Sequence, residues 1–147
     1  MKYTKGKVGR VFVVKVENGD DLIFELKKLA QKESIEAGVC YIIGALKEAS
    51  MVTGPKECTQ PPEPVWRTFS DCREILAIGT LFRDDREPVL HLHGTTGKGD
   101  QTLTGCIRGE SQIYLVAEVI ILELINTGAI KEFDAEFGFK MLNFLSV

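Results

Sequence analysis

An excess of positive charge is the first thing the sequence lacks. Lys and Arg number 18 against 21 Asp and Glu, for a formal net charge of -3. A dedicated duplex binder needs surplus cations to displace counterions from phosphate, so nucleic acid is not the natural partner. Long apolar runs are missing too. The most hydrophobic stretch, Ile113 to Ile125, is interrupted by Glu118 and Glu123 and falls short of the roughly 20 residues of a membrane helix. The cationic start, Met1 to Arg10, has no apolar stretch ending in small residues behind it, so it does not read as a secretory signal. The four cysteines, Cys40, Cys58, Cys72 and Cys106, have no C-x-x-C spacing, which excludes a zinc ribbon and gives no disulfide framework. Reduced thiols in a cytoplasmic protein are the expectation. The glycines from Gly94 to Gly105 have no Gly-Lys-Ser/Thr ending and no helix after them, which excludes a phosphate loop.

What is present is ordinary globular composition, 44% hydrophobic and 27% charged over 147 residues. That length fits one domain, 1–147, with enough buried surface to exclude intrinsic disorder. Lys7 to Val16 reads as a strand closed by Asn18-Gly19. A helix follows, capped by Asp20 or Asp21, with Leu22, Ile23, Leu26, Leu29 and Ala30 on one stripe. Val39 to Leu46 is β-branched enough for a strand buried on both faces beneath that helix, with a short strand at Ala49 to Thr53. Gly54 to Pro64 holds four of the five prolines and is expected to be an edge loop. Further strands are expected at Val65 to Phe69, Arg73 to Phe82, Val89 to Thr95, Gln101 to Ile107, Gln112 to Ile125 and Phe139 to Leu145. The fold class is therefore α+β, a largely antiparallel sheet with one main helix.

The only two histidines, His91 and His93, flank Leu92 in one of these strands, so both imidazoles leave the same face. Gly99-Asp100 is a two-residue, glycine-first hairpin loop. Pairing across it sets Cys106 opposite His93, about 5 Å away between Cβ atoms. Two imidazoles and a thiolate suit zinc ahead of iron or copper, and leave a fourth position open as in catalytic zinc sites. Two strand histidines bonded to backbone would show the same spacing, and a three-residue loop would turn Cys106 away. Metal binding by His91, His93 and Cys106 is the reading that the register favours. Glu74 and Glu118 are catalytic candidates, as a proton shuttle or as the partner of a metal ligand. Glu118 and Glu123 are an odd number of residues apart and fall on opposite faces, so they make no acid–base pair. Lys2, Lys5, Lys7 and Arg10 read as a solvated terminus.

Across almost its whole length the chain resembles the plants-and-prokaryotes-conserved (PPC) domain family. The resemblance is carried by Gly19-Asp20-Asp21-Leu22, Gly44-Ala45, Glu74-Ile75-Leu76 with Gly79, His91-Leu92-His93, Gly105-Cys106-Ile107 with Gly109, and Glu118. It implies a small homotrimer of α+β fold, similar in architecture to acetolactate decarboxylase, whose zinc is held by a His-x-His pair and a third histidine. The family usually has a histidine where this chain has Cys106, a departure that keeps a metal-competent ligand. Plant members carry AT-hooks centred on Arg-Gly-Arg-Pro. That tetrapeptide does not occur here, and Val8-Gly9-Arg10 is not one. The functions implied are a metal-binding homotrimer of undefined activity with room for a small-molecule ligand, a zinc-dependent lyase or hydrolase of a small oxo acid or ester, or a DNA-associated nucleoid module.

Overall fold

Strand β1 (Lys7–Glu17) ends at a turn in which Gly19 takes φ +90°, and α1 (Leu22–Lys32) begins at once. Asp21 caps it through both carboxylate oxygens. Oδ1 accepts from Phe24 N at 2.8 Å, while Oδ2 accepts from Ser111 N at 2.8 Å and Ser111 Oγ at 3.3 Å. The cap thus satisfies an orphan helix donor and pins the helix start to the sheet. Leu22, Leu26 and Ala30 are buried, with Ile23 and Leu29 packed beside them, as the stripe requires.

The computed structural model describes residues 1–85 and 87–145. After α1 come β2 (Ala37–Pro55), β3 (Pro64–Phe69), β4 (Arg73–Arg83), β5 (Pro88–Lys98), β6 (Gln101–Ile125), β7 (Ala129–Asp134) and β8 (Phe139–Phe144). Among the described residues all strand pairings are antiparallel. The long strands β2 and β6 run side by side, β4 pairs with β2, and β5 bridges β4 back to β6, so these four strands close on themselves. β1 extends the far half of β6, and β3 extends the far half of β2. The α+β expectation holds: a mostly antiparallel sheet with one short helix.

Three differences from the sequence reading have physical causes. The strands expected at Val39 to Leu46 and Ala49 to Thr53 are one strand, β2, and those at Gln101 to Ile107 and Gln112 to Ile125 are one strand, β6. The polar breaks Lys47-Glu48 and Arg108-Gly109-Glu110 lie near register shifts where both strands bend together, so the pairing continues through bulges. β7 was not expected; it pairs with β8 in a separate hairpin, whose Ala129 packs with Ala37 and Phe82 in a second small cluster. Third, β2 is buried on one face only. Cys40, Ile42 and Leu46 enter the core under a helix that lies over β5 and β6, while Tyr41 and Ile43 are 47% and 54% exposed. Among the described residues no helix is long and apolar enough to cross a membrane.

Candidate metal centre

β5 delivers its side chains alternately, and Leu92 goes into the core at 1% exposure while His91 and His93 stand on the outer face. The hairpin turn closes on two residues, with Gly99 at φ +55° and Lys98 paired to Gln101. His93 is therefore opposite Cys106, and Thr95 is opposite Thr104 with their hydroxyls 2.9 Å apart. The register expected from the sequence is the one observed.

The two Nε2 atoms of His91 and His93 are 3.0 Å apart, and the rings meet edge to face at 84°. Ligand atoms of His91, His93 and Cys106 all lie within 4.8 Å of one another. Two ring nitrogens at hydrogen-bond distance need one proton between them, since one must donate and the other accept. A tetrahedral zinc with Zn–N bonds of about 2.0–2.1 Å holds two nitrogens roughly 3.3 Å apart. The two ring nitrogens are already within a few tenths of an ångström of that spacing, and a zinc held by all three groups would draw the sulfur closer, to roughly 3.5 Å from each nitrogen. Of the cysteines, Cys40 faces the core, where burial pushes its thiol up to about 11, and only Cys106 joins the imidazoles.

Cys106 is 6% exposed even though it belongs to the outer face. β2 passes close beside it, with Val52 as its pairing partner. Gly105 makes that approach feasible, because a Cβ there would meet Val52 O at 2.4 Å. Arg108, two residues further along β6, donates from Nε to Cys106 Sγ at 3.3 Å. His91 is held below the ordinary imidazole range, first by burial and then by His93 and the cations Lys131 and Arg108. A neutral imidazole is the form that binds metal. Burial likewise lowers the Lys131 ammonium.

Glu74 and Glu118 are exposed and lie elsewhere. Glu74 pairs with Gly97, four residues along β5 from His93, or roughly 13 Å. Glu118 pairs with Lys15 and Ile43, three pairing steps from Thr95 through β2 and β4, and it is not among the groups that converge with the imidazoles. Neither reaches the imidazoles within this chain. Arg108 and Lys131 were not singled out from the sequence. The first was readable, since residues i and i+2 of a strand share a face. The second was not, because β7 gave no strand signal.

A cavity of about 600 Å³ opens beside the centre, and its lining includes His93, Cys106 and Arg108. Its other walls come from the proline-rich loop and from the β7–β8 turn, including Phe137 and Phe139.

No curated protein matches the chain in sequence. In fold it is similar to a metal-containing protein of Archaeoglobus fulgidus, at 24% identity and TM-score 0.85, covering 97% of this chain and 99% of that one. A plant- and prokaryote-conserved protein of Pyrococcus horikoshii is similar at 23% identity and TM-score 0.85, over 100% of both chains. A candidate DNA-binding protein of Ralstonia eutropha is similar at 20% identity and TM-score 0.76, over 90% of both. The family model of the Plants and Prokaryotes Conserved (PCC) domain matches residues 3–125. With most of its length matched in this way, the chain belongs to the Plants and Prokaryotes Conserved domain family.

Proposed function

We propose that this protein is a metal-binding, self-associating domain that holds Zn²⁺ on His91, His93 and Cys106 and leaves one coordination position for a small ligand. The observation that carries the reading is the convergence of one ring nitrogen from each histidine and one Sγ within 4.8 Å. Zinc held there by His91, His93 and Cys106 would supply a Lewis acid. The protein's own part is to fix the two rings on one strand and the sulfur on the next. The metal content of the Archaeoglobus relative is consistent with this. Elemental analysis of tag-free protein tests it: close to one zinc per chain is expected, falling sharply in His91→Ala and Cys106→Ser, and no binding in a zinc titration overturns it.

Self-association rests on the outer face of the sheet. Val13 is 82% exposed and Leu76 65%, with Tyr41, Ile43, Ile78 and Ile120 also exposed around them. An apolar patch of this kind marks an interface. The trimeric state comes from the family resemblance. Ile78 is paired with His93, so the centre lies at the margin of that face. Four free thiols suit a reducing, cytoplasmic setting.

A second reading, a zinc-dependent lyase or hydrolase of a small oxo acid or ester, is favoured by the cavity that opens onto His93 and Cys106. It requires an acid or base other than Glu74 or Glu118 of the same chain.

A further inference from the structure

The cavity beside the centre has an unusual balance of chemistry. Among the described residues its lining includes no aspartate or glutamate, and its one charged group is Arg108. That guanidinium is held by its Nε on Cys106 Sγ, and among the described residues no carboxylate forms an ion pair with it. Its two terminal nitrogens are thus the fork that recognises a carboxylate with two parallel hydrogen bonds. The same lining carries Phe137 and Phe139, with ring centroids 6.3 Å apart and tilted by 53°, and Pro61, Pro62 and Pro64. These are rigid apolar surfaces suited to a flat apolar body. About 600 Å³ lies within the usual size of a small-molecule site.

We propose that this cavity binds a small aromatic monocarboxylate, its carboxylate on the Arg108 guanidinium and its ring between the proline loop and the Phe137–Phe139 pair. The proposal deepens the metal-centre reading by naming the ligand class, and rests on it for the polar end, where His93 and Cys106 border the same space. A neutral ligand leaves the guanidinium unmatched. A carboxylate without an apolar body leaves the aromatic and proline walls wet. Charge and shape together therefore select a ligand with one anionic end.

The test uses the full chain, with zinc content measured first, and benzoate, benzyl alcohol and acetate as probes. Binding is followed by amide shifts of Gly105 and Gly138 and by calorimetry. Benzoate is expected to move both amides and to bind at least about tenfold more tightly than either comparator. With the protein held at saturating zinc, because Arg108 also donates to Cys106 Sγ, Arg108→Gln should lose about tenfold in benzoate affinity, and Arg108→Lys should restore part of it. Phe137→Ala should weaken benzoate but not acetate. Equal binding of benzoate and benzyl alcohol, no shift at either glycine, or full affinity in Arg108→Gln overturns the proposal. Zinc bound without benzoate binding refutes this inference and leaves the metal-centre reading intact, while absence of zinc refutes that reading by itself.

Discussion

Gly105→Ala is the smallest change that should disturb fold and site together. The added Cβ would sit 2.4 Å from Val52 O, 3.0 Å from Val52 C and 3.1 Å from Thr53 Cα. Those are backbone atoms, so no side-chain rotation relieves the contact. β6 and β2 must move apart by about 1 Å to restore a normal separation, and overpacking of this kind costs about 1–3 kcal/mol. For a chain of this size, each kcal/mol lowers the melting temperature by roughly 2–4 °C. Cys106 is the next residue and pairs with Val52 across the same gap. It moves with β6, whereas His91 and His93 stay on β5. Zinc affinity should therefore fall by at least about tenfold although every ligand is present, because misplacing one donor by about 1 Å spoils the coordination geometry. Calorimetry gives the melting temperature, and competition against a chromophoric chelator gives the affinity. A variant that melts and binds zinc as the parent does would refute both the close approach of β2 and its role in positioning the sulfur.

Other consequences follow from particular contacts. Glu123 accepts from Arg10 Nε at 2.8 Å, Nη2 at 2.7 Å and backbone N at 3.1 Å, clamping β1 to β6. Hydrogen bonding to Arg10 lowers the Glu123 carboxyl to about 2. Its stabilisation is therefore complete above about pH 4.5 and lost as pH falls toward 2. The full linkage value is about 3 kcal/mol, reduced to about 1–2 kcal/mol by solvent screening at the half-exposed Arg10. Urea midpoints should converge between parent and Glu123→Gln as pH drops through that window; a constant gap would contradict the assignment. Asp21→Ala should cost about 1–2 kcal/mol by freeing the Phe24 and Ser111 donors, and a denaturation midpoint unchanged from the parent would refute that cap. Val13→Glu with Leu76→Glu should reduce the solution mass to that of a monomer in light scattering while leaving zinc stoichiometry unchanged, and a preserved oligomer would move the interface elsewhere.

The local part of the centre was legible because it follows from strand arithmetic. Alternation sets His91 and His93 on one face, and a glycine-first two-residue turn sets the register that brings Cys106 opposite His93. Arg108 obeys the same alternation and was within reach of the same reasoning. What could not be read depends on distant segments. Cys106 is buried because Gly105 admits β2, and the cavity exists because the proline loop and the β7–β8 turn meet there. The length of β2 and β6 was also hidden, since paired bulges let polar stretches that look like loops continue the ladder. The apolar pattern of Val39 to Leu46 suits burial on both faces. In a single chain Tyr41 and Ile43 are exposed, and the proposed self-association rests on that mismatch.

The measurement that bears most directly on the metal centre is zinc stoichiometry in tag-free protein and in Cys106→His. One zinc per chain in the parent, retained when histidine restores the family's usual third ligand and lost in Cys106→Ala, is the predicted result. Protein that takes up no zinc, or holds it equally well in Cys106→Ala, would contradict the three-ligand site.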